Sequence, residues 1–195
     1  MASYHHGNLR ETLLAQARKQ LAEDGIDKLS LRALARAVGV SQTAPYRHFP
    51  DKNALLIALA TSGFAELRQS LKTRAEACPD LDAALVEVGL AYVDFAKAHT
   101  ALYKLMFGPA LTQKDSYPQL HVSAESCLEE LKALIQLKLN VPESDETLWY
   151  ITINAAALIK GHTSMILEGN DNCNPATGEE FDLARALRIF LSMLP

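Results

Sequence analysis

The chain has 195 residues, of which 49% are hydrophobic and 22% charged, with a formal net charge of −4. That is the composition of an ordinary soluble globular protein, and it excludes disorder on a large scale. The length suits one domain, or a small domain fused to a larger one.

No apolar run approaches the ~20 residues a membrane span needs. The opening stretch, Met1 to Arg10, has no apolar segment of signal-peptide type. A cytoplasmic protein without a membrane partner is therefore expected. Cys78, Cys127 and Cys173 are too few and too scattered for a disulfide framework or a zinc site. They read as free thiols, and no paired cysteine or basic neighbour gives Cys173 a redox role.

The charge is uneven along the chain. Residues 1–52 carry eight Lys/Arg against five Asp/Glu, a net +3, and the remainder carries eleven against eighteen, a net −7. The sign is that of a nucleic-acid-binding head on an acidic body, although chance variation along a soluble chain produces the same asymmetry.

Helical periodicity runs nearly from end to end. Asn8 is positioned to cap a first helix, with Glu11 three residues on as in a capping box. Leu13, Leu14, Ala17 and Leu21 form its apolar stripe, and Gly25 ends it. Ser30 caps a short second helix that turns Leu31, Leu34, Ala35 and Val38 inward, and Gly39 stops it. A third helix is expected from Ser41 to about Phe49-Pro50, and a long fourth from Asp51 to about Ala77. Further helices are expected at about 81–98, 100–107, 117–139, 144–168 and 179–194, broken at Gly108-Pro109, Val141-Pro142 and the polar segment 169–178. The fold class is all-α, with about nine helices: an N-terminal three-helix domain and a larger helical domain. The boundaries expected are 1–52 for the first domain and 80–195 for the second, joined by the fourth helix at about 52–77.

Residues 30–49 read as helix, tight turn, helix. Ala35 is small where two helices cross. Gly39 takes the positive φ the turn demands. Leu34, Val38 and Val40 fill the wedge. Ser41 caps the second helix of the motif and leaves its first residues free to face a groove. Gln42, Thr43 and Ala44 suit base edges: Gln pairs with adenine, and Ala or the Thr methyl meets a thymine methyl. Ser30, Arg32, Tyr46, Arg47, His48 and Lys52 complete the expected DNA-binding set, the last four as phosphate contacts. An αα-hairpin with no DNA role shows the same core, so the flanking residues decide.

Those flanks carry a resemblance. Leu29-Ser30-Leu31-Arg32, the run Leu34 to Ser41, Tyr46-Arg47-His48-Phe49, and Asp51-Lys52 ahead of Leu55-Leu56 closely resemble the DNA-binding domain of the tetracycline-repressor (TetR) family. The likeness reaches upstream to Tyr4-His5-His6-Gly7-Asn8-Leu9-Arg10 and downstream to Leu102-Tyr103-Lys104-Leu105-Met106-Phe107-Gly108, which resemble one subgroup. That subgroup carries a Trp and a His-Gly pair late in the chain; Trp149 is present, but the pair is reversed as Gly161-His162. Pro45 stands where many members have an aliphatic residue; as the fourth helical residue it forfeits the first intrahelical bond, so a tightly wound or late start is expected.

The resemblance implies a DNA-binding transcriptional regulator, a ligand-responsive repressor that binds a palindromic operator as a homodimer. Its partners would be double-stranded DNA, a second copy of itself and a small-molecule effector. The dimer interface is expected on the last two helices, at Ala155, Ile159, Ala184, Leu187 and Leu191. The last helix is apolar on two sides, one with Leu187 and Leu191 and the other with Leu183, Phe190 and Met193, and therefore needs two partners. Phe95, His99, Tyr103, Phe107, His121, Trp149, Asn154 and His162 are candidates to line a ligand pocket, each also readable as an ordinary core or surface residue. An architectural DNA binder without effector is one alternative. A helical enzyme is another, but His99, His121 and His162 lack metal-ligand spacing, and no nucleophile or phosphate motif occurs. No cofactor or metal is expected.

Overall fold

The computed structural model describes residues 9–109, 111, 117–170 and 178–194. Asn8, the segment Tyr4 to Gly7 and Cys173 lie outside them. Eight α-helices and one four-residue 3-10 helix make up the described residues, which contain no extended strand: α1 (Leu9–Asp24), α2 (Leu31–Ala37), the 3-10 helix (Ala44–Arg47), α3 (Lys52–Glu76), α4 (Leu81–Ala98), α5 (Thr100–Phe107), α6 (Pro118–Leu139), α7 (Glu146–Leu167) and α8 (Leu183–Ser192). The all-α architecture stands, with eight α-helices rather than nine. The element expected as a third helix over 41–49 is the 3-10 segment. No described helix is long and apolar enough to cross a membrane.

Helix ends follow the caps. The Asp145 carboxylate accepts the Thr147 N–H at 2.8 Å and starts α7 at Glu146; Asp182 accepts the Arg185 N–H at 3.1 Å and starts α8 at Leu183. Each satisfies a backbone donor that the first helical turn leaves without a partner. The last helix thus begins at 183 and not near 179.

Packing divides the chain into two compact units, residues 1–64 with 99–122, and residues 65–98 with 123–195. The first 13 residues of α3 belong to the first unit and its remainder to the second. In the first unit α1 buries Leu13, Ala17 and Leu21, and packs against both α2 and α5. Gly63 on α3 makes room for α5: a Cβ there would come within 2.6 Å of Met106 Sδ. Phe64 meets Phe107 edge-on at 5.2 Å between centroids, and Tyr103 tilts against Phe107 at 4.8 Å. Such aromatic pairs add ~1 kcal/mol each beyond the area they bury.

In the second unit α4 is the central helix. It buries Ala84, Leu85, Val86, Val88, Gly89, Ala91, Val93, Phe95 and Ala96, and packs against α7 and α8. Gly89 sets that contact, since any Cβ there would collide with Leu187 Cδ1 and touch Ile159 Cγ1 at 3.5 Å. Thr152 and Thr163 are fully buried on α7 and keep their hydroxyls satisfied by donating to the Leu148 and Ile159 carbonyls, each at 2.7 Å. Arg74 near the end of α3 ties to α4 through Glu87 and Asp94, which raise its pKa further. Arg68 pairs with Glu130 of α6 at 2.7 Å. Burial pushes the Cys127 thiol up to about 12, so it stays protonated and unreactive at neutral pH.

Candidate nucleic-acid interface

The interface is built from α2, the turn after it and the 3-10 helix. The Ser30 hydroxyl accepts the Ala33 N–H at 3.2 Å and starts α2. Leu34 and Ala35 have no exposed surface, so α2 is locked against its neighbours. At its end Gly39 takes φ +74°, the Gly39 N–H donates to Arg36 O at 3.2 Å, and the Val40 N–H reaches back to Ala35 O at 3.0 Å. A side chain at 39 would have to adopt a left-handed conformation that costs L-residues about 1 kcal/mol. The expected turn chemistry is present.

The next segment differs from a regular recognition helix, and Pro45 supplies the reason. It has no N–H to give the Ser41 carbonyl, which takes the Ala44 N–H instead at 3.0 Å. That three-residue spacing tightens the turn. Tyr46 N–H to Thr43 O at 3.2 Å and His48 N–H to Pro45 O at 3.0 Å continue it, and only Phe49 N–H to Pro45 O at 2.9 Å is an α-type bond. Pro45 is buried, so its ring anchors the segment while its neighbours face outward. The Ser41 hydroxyl caps nothing; it lies 3.3 Å from the Thr43 hydroxyl.

The result is a compact polar surface. Ser30, Arg32, Ser41, Gln42, Thr43, Tyr46, Arg47 and His48 are exposed, and Ala44 is half-buried. Arg32, Arg36 and Arg47 have no ion-pair partner among the described residues. Three uncompensated guanidinium groups beside a Gln-Thr-Ala tip are what phosphate neutralisation around a base-reading element requires. Arg36 was not among the residues the sequence singled out. Its basic position in the last turn of α2 was visible, but its freedom from partners was not.

Lys52 opens α3. Its ammonium donates to the Ile26 carbonyl at 2.7 Å and lies 3.4 Å from the Asp27 carbonyl, within the turn between α1 and α2. Beside it, the Asp51 carboxylate accepts the Ala54 N–H at 2.8 Å and caps α3. Phe49 is buried, with the Arg10 guanidinium 5.4 Å from its ring centroid. Ser30→Ala and Asp51→Ala each remove a helix cap and should cost about 1 kcal/mol. For a chain of this size that lowers the melting temperature by about 2–4 °C. Thermal denaturation followed by circular dichroism checks this; an unchanged transition for both variants would contradict the capping geometry.

The residues expected at a dimer interface lie on α7 and α8. Ala155, Ile159, Leu187 and Leu191 are 4–7% exposed and belong to the chain's own core, with Leu187 and Ile159 both against Gly89. Ala184 is half-buried. The exposed apolar residues of α7 and α8 include Trp149, Ile153, Ile189 and Met193, at 52%, 38%, 54% and 76% exposure.

The pocket candidates fall in both compact units. His99, Tyr103, Phe107 and His121 belong to the first unit, where Tyr103 is buried and His121 exposed. Phe95, Trp149, Asn154 and His162 belong to the second. There Phe95 is buried, and Asn154 joins Trp149 on the exposed face of α7. His162 stacks on Phe181 at 4.3 Å; burial lowers its pKa, and its Nδ1 has no hydrogen-bond partner among the described residues. Two grooves lie elsewhere in the second unit. One, of about 490 Å³, runs between Asp82, Val86, Glu87, Lys138 and Arg188. The other, of about 190 Å³, is lined by Leu71, Ala75, Val88, Ala133 and Leu134.

The tight helix-turn-helix with an exposed polar tip and unpaired arginines defines a DNA-binding head. Residues 13–59 match the bacterial regulatory proteins of the tetR family, and residues 85–189, more than half of the chain, match the tetracyclin repressor-like C-terminal domain. The chain belongs to the TetR family of bacterial transcriptional regulators. It is 45% identical over 56 residues to the HTH-type transcriptional repressor Rv1474c of Mycobacterium tuberculosis, covering 29% of this chain and 30% of that one. It is 47% identical over 55 residues to the class A tetracycline repressor of transposon 1721 from Escherichia coli, covering 28% and 26%. The matches thus span less than a third of these curated relatives. Over its whole length it is similar to a solved protein of unknown function from Rhodococcus sp. RHA1, at 32% identity and a TM-score of 0.80, covering 100% of this chain and 99% of that one.

Proposed function

We propose that the protein is a dimeric, ligand-responsive repressor that reads a two-fold-symmetric operator through residues 30–48. The observation that carries this is the exposed Gln42-Thr43-Ala44 tip framed by the unpaired Arg32, Arg36 and Arg47. The guanidinium groups bind phosphate and fix register, and Gln42 and Thr43 read base edges. Tyr46 and His48 add phosphate contacts from the same surface. Residues 1–52 form the DNA-binding domain, α3 connects, and 80–195 form the regulatory and dimerisation domain, in a cytoplasmic protein with no catalytic role.

A palindrome calls for a two-fold dimer. Trp149 and Ile153 on α7, and Ile189 and Met193 on α8, are large apolar side chains that a lone chain would leave in water. A second copy, which presents the same side chains, covers them. For the effector, a groove of about 190 Å³ is lined by Leu71 and Ala75 of α3, Val88 of α4, and Ala133 and Leu134 of α6, with Lys72, Glu76 and Glu130 also lining it. A small aromatic or apolar ligand there touches α3, the helix that continues into the head, and acts by favouring one conformer of it.

Fluorescence titration of a selected operator tests the reading. Gln42→Ala should change sequence preference, with a cost of about 1–3 kcal/mol at the base pairs it reads, while Arg47→Ala should weaken all sequences about equally. Identical sequence profiles for wild type and Gln42→Ala would contradict this orientation. An effector found by thermal-shift screening should lower operator affinity, and operator should weaken the effector by the same factor.

A further inference from the structure

The larger groove of the second unit is not used by the proposed function. Its volume of about 490 Å³ falls within the ~300–1,000 Å³ of small-molecule sites. The start of α4, Lys138 near the end of α6, and Arg188 and Leu191 on α8 line it. Val86 and Leu191 are both buried and supply an apolar floor. The rim is charged.

Those charges are not equivalent. The Asp80 carboxylate accepts the Ala83 N–H at 2.8 Å and caps α4. Asp82 takes the Lys138 ammonium at 2.7 Å. Glu87 accepts the Arg74 Nε–H at 2.8 Å. Each carboxylate of the rim therefore already has a donor. Arg188 is exposed and has no ion-pair partner among the described residues. Lys138 gives one N–H to Asp82, and an ammonium carries three. The donors left open in this groove thus belong to cations, above an apolar floor. A carboxylate meets a guanidinium in a planar two-point fork. A phosphate dianion brings twice the charge towards Asp80 and Asp82, and an amine finds the carboxylates already occupied.

We propose that this groove binds a small monocarboxylic acid with a flat apolar body. The carboxylate forks onto Arg188, with Lys138 as a second donor, and the body lies along Val86 and Leu191. Glu87 lines the same groove and holds Arg74 of α3, so the bound acid lies beside the ion pair that ties α3 to α4. Neither the site nor its test depends on DNA binding.

Isothermal titration calorimetry of the full chain, without DNA, uses cinnamate as the probe. Cinnamate should bind saturably. Cinnamamide, which has the same shape and no charge, should bind the same protein at least about tenfold more weakly, a difference of ~1.4 kcal/mol. Arg188→Gln removes the open charge from an exposed position, so its thermal transition should stay within a few degrees of wild type. Its affinity for cinnamate should fall by about tenfold or more. Inorganic phosphate at equal concentration should not displace the probe. No saturable binding of cinnamate at millimolar concentration would overturn the assignment, as would equal affinity for acid and amide. Undiminished binding by Arg188→Gln would place the acid elsewhere and overturn it too. Displacement by phosphate would show a general anion site and contradict the carboxylate preference. The comparison of acid with amide is made on the wild-type protein, so it stands whether or not the variant folds.

Discussion

Leu187→Asp should unfold the second unit, not split a dimer into folded monomers. Leu187 is 4% exposed and lies against Gly89 of α4, where not even a Cβ fits between the helices. Truncating a buried leucine costs about 2–5 kcal/mol through lost burial and the cavity left behind. Placing a carboxyl in that space without a partner adds about 1–3 kcal/mol more. The total rivals the whole stability of an ordinary domain, ~5–15 kcal/mol. Thermal denaturation should show the transition lowered by at least about 10 °C or lost altogether. A variant that melts within a few degrees of wild type would contradict the packing of α8 on α4.

The opposite outcome is expected one face over. Ile189 and Met193 are 54% and 76% exposed, so Ile189→Asp combined with Met193→Asp removes little from the chain's own core. Stability of the isolated chain should change by about 0.5 kcal/mol or less. Two carboxylates on each copy of a self-complementary face cannot be desolvated against each other, so the dimer should dissociate. A monomer engages one half-site at a time and loses the effective concentration that linkage supplies, worth about 100-fold or more in operator affinity. Sedimentation should show a folded monomer, and titration a correspondingly weaker operator complex. Persistence of the dimer at micromolar concentration would place the interface elsewhere.

These two variants sit on one short helix, and their contrast shows where sequence reading stops. The periodicity of α8 announces two apolar faces, hence two partners. It does not say which face meets α4 and which meets solvent. That depends on Gly89, a hundred residues away, which admits Leu187 and Ile159. Local features were readable because their causes are local. The Ser30 and Asp51 caps, the Gly39 turn and the effect of Pro45 each follow from atoms within five residues. Pro45 was legible as a disturbance, although its full consequence, a 3-10 helix in place of an α-helix, required knowing that its ring is buried. Lys52 shows the same boundary. Its charge and its position at a helix start were plain, but the carbonyl it meets comes from another turn. The aromatic and polar residues considered for a ligand pocket show the same boundary: spacing along a helix places them on faces, and only packing decides which faces enclose a space. Phe107 closes an aromatic cluster with Phe64 and Tyr103, whereas Trp149 and Asn154 look outward.

The central claim, that this chain is a dimeric reader of symmetric DNA through residues 30–48, is tested most directly by selecting bound duplexes from a random pool and footprinting the protein on the winner. The expected winner is an inverted repeat protected in two major-groove patches about one turn apart, ~34–36 Å, bound by two copies of the chain, with Gln42→Ala enriching a different base in each half. A selected sequence without internal symmetry, bound by a single chain, or a pool that shows no enrichment, would contradict it.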